Sequence, residues 1–531
     1  MSQQPARRTA LSRLTPQPDR TALSRRGVVH GLVAGVGVIA FDPLTRSWIT
    51  AGARSPHPDA RAADAPRPHD TPGAFAHVPP LDGTLLTDPA ALDADADDFG
   101  HIVHRRPAAV LRPGSVADVV AMVRFCNAHG IPLAARGQGH GTNGQAQVAG
   151  GLIIETSPFD SIGPVTADPD GTGSVTVGAG AVWSAVVRAT TGHGLTPPVF
   201  TDYLELSVGG TLSVGGLGGQ SHLHGAQVDN VSSLTVVTGA GDLVTCSPTR
   251  SADLFHAVLA GLGQCAVIVS ATLRLVTAPV SVRHYLLPYT DLDVFLDDQR
   301  RLAADDRFAY VEGSVGTDAG GAYTGYVLEA VAYGPPAGPE PDDAALLSGL
   351  RYDASGAVTA ETLPYLDFLD RLAAGVAALQ QAGLWAWSHP WLNVLLPGDR
   401  AAALSRGILD GLAGQEIGPG GVVLLYPLVR ARLHAPLLRM PDDPVPYLLA
   451  VLWTLDPADP SAIAARTAAN HQVYETVRAA GGTQYPVGSI PMSAADWRAQ
   501  YGRAWPWFAS VKHRYDPNGL LAPGQNVFPR A

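Results

Sequence analysis

Three short segments of this 531-residue chain are dense in glycine, and they constrain its fold more than any other feature. They read RGQGHGTNGQA at 136–146, SVGGTLSVGGLGGQ at 207–220 and GLGQCAVI at 261–268. Glycine lets a backbone come within contact distance of a ligand, and successive N–H groups can cradle a pyrophosphate. Three such loops in one domain predict a large, extended ligand that lies along the backbone rather than a small substrate in a pocket.

Each segment taken alone is a weak signal. RGQGHG is not the G-x-G-x-x-G fingerprint of a dinucleotide site, and no strand–loop–long-helix unit follows it. Its histidine, His140, is by itself more typical of a satisfied structural histidine. Asp202, just before the second segment, is by itself more typical of a solvated strand-end or turn carboxylate, whereas Trp391 is equally consistent with a core residue and with a site residue. The residues alone leave these alternatives open.

Strand and helix patterns alternate around the glycine segments, which indicates an α+β fold. A strand at 108–113 leads to an amphipathic helix at 115–130, with Ser115 placed to cap the helix and Gly130 just past its end. Residues 233–247 predict a β-hairpin.

The chain is longer than one hydrophobic core usually serves, so two domains are expected. From residue 281 the pattern changes to longer helical runs, such as 368–385, separated by strands such as 447–453. We predict a leader at 1–53, a linker and lead-in at 54–98, a first domain at 99–280, a second domain at 281–485, and a C-terminal segment at 486–531 that returns to the first domain.

The N-terminus has the layout of a secretory leader. Residues 24–41 read SRRGVVHGLVAGVGVIAF, an apolar run too short to span a bilayer. The pair Arg25-Arg26 indicates the twin-arginine route, which carries folded proteins. The alternative is an unstructured basic tail with an accidental apolar patch. We expect a secreted protein without stable membrane insertion.

Composition excludes other classes of function. The net charge of −11, with no basic cluster in the body of the chain, argues against a nucleic-acid partner. Three cysteines have no ligand spacing and are predicted to be small buried residues. The pair His222 and His224 has no third ligand nearby, so no metal site is expected.

The ordered motifs resemble those of the FAD-linked oxidases of the vanillyl-alcohol oxidase type, and among these most of all the cytokinin dehydrogenases. The resemblance rests on the glycine segments, on HPWLN at 389–393 and on YDPNGLLAPGQNVF at 515–528. It implies an α+β fold with a two-domain, PCMH-type FAD-binding domain, built of two α/β subdomains, and an α+β substrate-binding domain of cytokinin-dehydrogenase type.

The resemblance also implies site residues. His140 matches the histidine that joins the flavin's 8α-methyl carbon, as the single covalent link to FAD. Asp202 matches the carboxylate that hydrogen-bonds the substrate's amine, and it also falls at the cofactor. Further FAD contacts fall at Gly137, Gln138, Gly139, Gly141, Gln145, Ser207, Ser213, Leu217, Ile268, Tyr485 and Gln525. Trp391, Asn393 and Pro427 match positions of the substrate pocket.

Three positions depart from the family pattern. Gly141 stands where the family usually has a serine. The stretch LAAGV at 372–376 lacks the carboxylate that plant enzymes commonly carry, and Gly375 lies about where it would be. In TQYPVGSIP at 483–491, Tyr485 is retained but the residues after it differ. Fold and flavin are therefore better supported than the substrate.

The implied activity is oxidation of the N6 side chain of a cytokinin, a secondary amine, to an imine, which water hydrolyses to adenine and an aldehyde. A carboxylate within reach of the amine can accept its proton, while the flavin takes the hydride. One alternative is an oxidase of alcohols, sugars or alditols with the same fold, and another is a flavin-binding protein without turnover. The electron acceptor, oxygen or a quinone, stays open.

Overall fold

The computed structural model describes residues 74–317, 323–334 and 341–529, and also the backbone of two paired strands, β1 (Ile39–Asp42) and β2 (Ser47–Thr50). Apart from those two backbone segments, the predicted leader at 1–53, with Arg25 and Arg26, lies outside the described residues. Among the described helices, none combines the length and apolar character that crossing a membrane requires.

The first sheet has four strands in the order β3-β4-β6-β5, and β4 and β5 both run parallel to β6. Ligands of such sheets bind beyond the carboxyl ends of the parallel strands, and the first glycine segment begins where β5 ends. The elements of this layer are β3 (Thr84–Leu86), α1 (Pro89–Ala94), β4 (Ala109–Arg112), α2 (Val116–His129), β5 (Leu133–Arg136) and β6 (Leu152–Glu155).

Two details of this layer differ from the sequence analysis. The segment at 54–98 was assigned as a linker and lead-in, but β3 and α1 lie in it and β3 pairs with β4. Ser115 does occupy the N-cap position of α2, yet its side chain makes no capping bond. The Asp118 carboxylate instead accepts backbone N–H bonds from Asp82, Gly83 and Gly114, each 2.8 Å long. It therefore ties the start of α2 to the β3 segment.

The second sheet carries the other two glycine segments. Its main path is β11-β10-β12-β8-β7, β9 pairs with β12, and β10 and β11 form the predicted antiparallel hairpin. The strands are β7 (Thr166–Ala167), β8 (Gly173–Gly178), β9 (Leu195–Thr196), β10 (Val231–Thr238), β11 (Leu243–Cys246) and β12 (Ala266–Thr277). The helices are α3 (Trp183–Thr191), α4 (Val208–Val214), α5 (Ser221–His224) and α6 (Ala252–Val258).

The third sheet begins at Ser281 and is antiparallel throughout its eight strands, in the order β16-β13-β15-β14-β18-β19-β17-β20. Its strands are β13 (Ser281–Tyr289), β14 (Tyr310–Thr317), β15 (Tyr323–Gly334), β16 (Thr359–Pro364), β17 (Leu392–Leu396), β18 (Val422–Pro427), β19 (Tyr447–Leu452) and β20 (Thr483–Gln484). Its helices are α7 (Leu292–Asp305), α8 (Asp343–Leu347), α9 (Tyr365–Leu369), α10 (Ala373–Gln381), α11 (Ala401–Leu412) and α12 (Pro460–Ala479).

The helix predicted at 368–385 is not continuous. It is split into α9, which ends at Leu369, and α10, which begins at Ala373. Arg371 lies in the gap, where its side chain turns towards Asp202, with 2.6 Å between Nη2 and Oδ1. An ion pair with Asp202, which is distant in the sequence, has no counterpart in helical periodicity, so the sequence pattern does not show the break.

The last part of the chain lies against the first sheet. It contains α13 (Ala494–Tyr501) and α14 (Trp505–Tyr515). Beyond them, Leu133 of β5 donates its N–H to the carbonyl of Leu520 and accepts the N–H of Ala522, both at 2.9 Å. Leu521 thus continues the sheet as an isolated parallel bridge to Leu133.

All three cysteines are buried, and none forms a disulfide. Burial raises the pKa of the thiols of Cys126, Cys246 and Cys265 to about 12. Thiols with so high a pKa are neutral and unreactive at physiological pH. The prediction that they are small core residues is confirmed.

Candidate active site

The first glycine segment leaves β5 with almost no space around its backbone. A Cβ added at Gly137 would lie 2.0 Å from the Ser207 hydroxyl oxygen. Gly139 has φ +68°, and a Cβ there would lie 2.3 Å from the guanidinium of Arg136, which is itself paired with Asp95 at 2.9 Å. Side chains are excluded at both positions, so the backbone of this loop stays bare.

The glycine segments are adjacent in space. Gly137 of the first segment packs on Ser207 of the second. The carbonyl of Ser213 accepts the N–H of Leu262, in the third segment, at 2.9 Å, while its hydroxyl donates to the carbonyl of Gly209 at 2.7 Å. The three segments therefore lie next to one another in the fold.

Tyr485 joins this surface from the far end of the third sheet. Its hydroxyl oxygen accepts the N–H groups of Gly216 and Leu217, at 3.0 and 3.3 Å. Burial raises the pKa of Tyr485 to about 12, so the phenol stays neutral. Leu217 is buried, and so is Ile268, which lies on β12. Gln138, by contrast, is exposed at the rim of the first loop.

His140 lies in a box of aromatic rings. Its ring is stacked on Phe99, with centroids 4.0 Å apart and planes 18° apart. Tyr203 lies 5.3 Å away on another side, and Trp385 and Trp391 each lie 6.0 Å away. Within the described part of the chain, the buried Nε2 atom has no hydrogen-bond partner. Burial lowers the pKa of His140 to about 4, so the ring is neutral at pH 7.

Residues 98–100 hold this loop in place. Phe99 donates its N–H to the carbonyl of Gly139 at 2.9 Å, and Gly100 donates to that of Gly141 at 3.1 Å. The carboxylate of Asp98 accepts the N–H of Gly144 at 2.7 Å. Burial raises the pKa of Asp98 to about 7. No sequence signal pointed to residues 98–100, because their role depends on contacts with a loop about forty residues away.

The raised pKa of Asp98 predicts a pH-dependent contribution to stability. The folded state keeps the Asp98 proton up to about pH 7, whereas an unfolded aspartate loses it near its ordinary pKa of 3.8. The contribution of this group to folding therefore falls as pH rises through that window. When pH is raised from 5 to 8, we expect the unfolding free energy of Asp98→Asn, measured with urea, to increase relative to that of wild type by about 1–3 kcal/mol.

Asp118→Asn is the matched control for this prediction. Its carboxylate is also buried, but backbone N–H bonds outweigh burial and hold its pKa below the usual range. It is therefore ionised at both pH values, and the cost of Asp118→Asn should be the same at pH 5 and pH 8. A pH-independent difference for Asp98→Asn as well would show that Asp98 does not titrate in this window.

The absence of a serine at position 141 has a structural explanation. A Cβ at Gly141 would lie 2.8 Å from Oε1 of Gln145. That oxygen accepts the N–H groups of Thr142 and Asn143, at 3.0 and 2.7 Å, and Nε2 donates to the carbonyl of Gly488 at 3.1 Å. The Gln145 amide thus occupies the space beside Gly141 and joins the loop to the C-terminal segment.

Asp202 is held by two donors. Its Oδ1 accepts from the hydroxyl of Tyr310 at 2.8 Å and from Nη2 of Arg371 at 2.6 Å. The guanidinium lies over the rings of Phe368 and Tyr310, at 4.5 and 5.1 Å. The Asp202 side chain keeps 20% of its surface exposed, so it is neither a core residue nor a freely solvated one. The next residue, Tyr203, contacts the box around His140.

Further carboxylates lie behind Asp202, and the sequence analysis missed them. Glu312 of β14 and Glu329 of β15 face each other in register, and both are buried. Glu329 Oε1 lies 3.3 Å from Nε of Arg371 and 2.9 Å from Nε2 of His284. His284 reaches the half-exposed Glu361 with its other nitrogen, at 3.2 Å. A buried Glu inside a strand pattern is the one sequence signal that could have indicated them.

Trp391 and Asn393 supply two polar atoms in need of partners. Nε1 of Trp391 and Nδ2 of Asn393 are buried, and neither has a hydrogen-bond acceptor among the described residues. Asn393 lies in β17, and Trp391 directly precedes that strand. Two donors without acceptors are costly unless a ligand satisfies them.

Pro427 and Gln525 lie apart from this group. Pro427 is buried at the end of β18. Asn393 and Leu424 both pair with the same residue of β19, and Pro427 lies three residues beyond Leu424. Pro427 is therefore about 10 Å farther along the sheet than Asn393. Gln525 and Gln145 line an open groove of about 750 Å³ that includes none of the other predicted cofactor residues. His222 directs both ring nitrogens at backbone carbonyls, of Gly219 and Phe308, which leaves neither for a metal.

Two family models match the chain. The one described as "FAD binding domain" matches residues 107–247, and the one described as "Cytokinin dehydrogenase 1, FAD and cytokinin binding" matches residues 323–528. The first covers the first two glycine segments and most strands of the first two sheets. The second covers most of the eight-stranded sheet, with Arg371 and the HPWLN motif, and ends in the C-terminal segment.

Similar proteins span nearly the same length. An uncharacterised oxidoreductase, ORF5 of the fasciation locus of Rhodococcoides fascians, is 41% identical over 84% of this chain and 99% of its own. Cytokinin dehydrogenase 1 of Oryza sativa subsp. japonica is 34% identical over 90% of this chain and 96% of its own. The crystal structure of a VAO-type flavoprotein from Myceliophthora thermophila matches with a TM-score of 0.62 at 19% identity, over 78% and 79% of the two chains. The resemblance predicted from the motifs is confirmed.

Proposed function

The chain belongs to the FAD-dependent oxidoreductases of the vanillyl-alcohol oxidase type, in the family of the cytokinin dehydrogenases, and from this we propose that it oxidises the N6 side chain of a cytokinin or a related N-alkyl adenine. The observation that carries the proposal is Asp202. This partly exposed carboxylate is fixed by Tyr310 and Arg371, and its neighbour Tyr203 contacts His140.

The residues present fit a flavin dinucleotide. The loop around Gly137 and Gly139 excludes side chains, as a backbone that cradles a pyrophosphate must. His140 presents a neutral ring with a buried nitrogen that has no partner among the described residues. We propose a single covalent link between this imidazole and the flavin. Such a link would keep the cofactor bound after export.

In the proposed reaction, FAD when bound supplies the acceptor for the hydride that leaves the carbon next to the amine nitrogen. Asp202 accepts the proton of that nitrogen, the role of a general base. Tyr310 and Arg371 hold Oδ1 and so fix the direction in which the carboxylate faces. Water then hydrolyses the imine to adenine and an aldehyde.

The donors of Trp391 and Asn393 support a substrate with ring acceptors. Both side chains carry a buried N–H group that needs an acceptor, and the ring nitrogens of adenine are acceptors. Hydroxyl oxygens of a sugar or an alditol can accept as well. Oxidation of such alcohols, for which Asp202 could also act as base, is therefore a separate outcome of the test.

The test uses the purified holoenzyme. We expect its yellow colour to remain with the protein after acid precipitation and to bleach when isopentenyladenine is added without oxygen. Colour that stays in the precipitate but bleaches with xylitol or glucose instead would keep the fold and the link while replacing the substrate. If the colour stays in the precipitate and no amine or alcohol bleaches it, the protein binds flavin without turnover. A colourless protein, made with ample flavin, would contradict the proposal as a whole.

We further propose that the protein is exported by the twin-arginine route, on the evidence of the leader sequence alone. Replacing Arg25 and Arg26 together by lysine is then expected to retain the unprocessed precursor inside the cell. The measurement is an immunoblot of cell and medium fractions. Unchanged secretion of the double variant would reject this route.

A further inference from the structure

The ring of Phe99 lies between two imidazoles. One face is stacked on His140, at 4.0 Å and 18°, and the other is stacked on His389, at 3.9 Å and 15°. The edges of Trp385 and Trp391 complete the surroundings of Phe99, with centroids at 4.8 and 5.3 Å. Three flat rings from three separate parts of the chain thus form one parallel stack that ends at His140.

Hydrogen bonds lock the two outer members of the stack to Phe99. Its N–H donates to the carbonyl of Gly139, next to His140, at 2.9 Å. Nδ1 of His389 donates to the carbonyl of Phe99, also at 2.9 Å, and the N–H of His389 donates to the carbonyl of Gly100 at 3.0 Å. A carbonyl can only accept, so Nδ1 of His389 carries the proton. The stack is therefore fixed both through its ring faces and through its backbone.

His140 keeps one ring nitrogen, Nε2, without a hydrogen-bond partner among the described residues. Functional histidines commonly have one nitrogen that is free for its task, while other contacts orient the ring. At His140 the stack on Phe99 fixes the plane of the ring and leaves Nε2 free.

We infer that Phe99 and His389 are positioning residues for covalent attachment of the flavin: they hold the imidazole of His140 in the plane in which its nitrogen meets the flavin's 8α carbon. This inference rests on the proposed function, since it requires the link at His140. Residues that only filled space would need neither coplanar rings nor a bond that fixes the tautomer of His389.

The attachment step balances with dioxygen as the oxidant. A bond forms between an imidazole nitrogen of His140 and the 8α-methyl carbon. One proton leaves that carbon and one leaves the imidazole, while two electrons pass to the flavin. Dioxygen then takes the two electrons and two protons as hydrogen peroxide, which returns the flavin to its oxidised form. The protein contributes only the alignment of the nitrogen with the carbon.

The test measures how fast the flavin becomes resistant to acid. Wild type and variants are produced with limiting flavin, incubated with FAD in air, and sampled for the flavin that stays with acid-precipitated protein. We expect Phe99→Leu to attach flavin about 10–100-fold more slowly, because leucine fills most of the space but offers no flat face. Phe99→Tyr restores the face and is expected to attach it at close to the wild-type rate.

A matched control separates alignment from stability. Phe295 is a buried phenylalanine of α7, stacked on Tyr326 of β15 at 5.2 Å and 24°. Phe295→Leu should lower the melting temperature but leave the attachment rate unchanged. If Phe99→Leu lowers the melting temperature yet attaches flavin at the wild-type rate, the inference is overturned.

A second pair of variants covers the case in which Phe99→Leu does not fold. His389→Phe keeps a flat ring against Phe99, whereas His389→Leu does not. Slower attachment in His389→Leu than in His389→Phe is expected, and equal rates would overturn the inference. His140→Ala tests the premise separately: flavin that resists acid in that variant, or that is released from the wild type, would place the failure in the proposed link itself.

Discussion

Asp202→Asn is expected to lower the rate of flavin reduction by isopentenyladenine about 10²–10⁴-fold, the usual contribution of a positioned general base. Asparagine retains an oxygen that can accept from Tyr310 and Arg371, so the site should keep its shape. It cannot take the proton of the amine at neutral pH. The measurement is anaerobic stopped-flow reduction, with flavin content and melting temperature recorded on the same preparations.

Glu205→Gln is the matched control, since Glu205 lies three residues along the same segment and is exposed. It should reduce its flavin within about twofold of wild type, as surface substitutions usually leave function intact. If Asp202→Asn is reduced at the wild-type rate with its flavin in place, another group takes the proton. A loss of bound flavin in step with the loss of rate would instead assign Asp202 to cofactor binding alone.

Arg371→Met is expected to destabilise the protein by about 3–5 kcal/mol, the usual cost of removing one partner of a buried ion pair. Arg371 is 11% exposed and lies between Asp202, at 2.6 Å, and Glu329, at 3.3 Å. Methionine retains most of the apolar stem of the side chain but leaves these carboxylates without the cation. Urea unfolding at pH 7 measures the loss, and the rate of flavin reduction should fall as well, because Asp202 is no longer held.

The neighbouring ion pair provides the control for this effect. Arg188 and Asp370 are 3.0 Å apart, but 57% and 38% of their side-chain surfaces are exposed. Exposed pairs contribute about 0–1 kcal/mol, so Arg188→Met should change the unfolding free energy by no more than that. Similar losses for the two variants would mean that burial of the Arg371 network does not determine its contribution.

The sequence was sufficient where a residue acts through its backbone. Side chains are excluded at Gly137 and Gly139 by close contacts with Ser207 and Arg136, and the same glycines produce the motif from which the loop could be predicted. His140 was predicted with them because it lies in the loop itself. In a similar way, Gly130 could be predicted to end α2 because its left-handed conformation, φ 64°, is a local requirement.

The sequence was insufficient where a residue acts through the fold. Arg371 reaches Asp202 only because the chain breaks between α9 and α10, and Tyr310 reaches it from the start of β14. Phe99 lies in a stretch without periodicity, and its stack with His389 of the second domain forms only in the folded chain. Side chains that come together from distant segments show no regular spacing in the sequence, so a sequence pattern cannot predict their contact.

The bridge between Leu133 and Leu521 has a consequence for the order of events in the cell. The strand that leads into the first glycine segment is bridged by a residue that follows the second domain in the chain. Domains generally fold as units, from the N-terminus onward, while the chain is still being made. Here the edge of the first sheet at β5 is therefore completed only after the second domain has been synthesised.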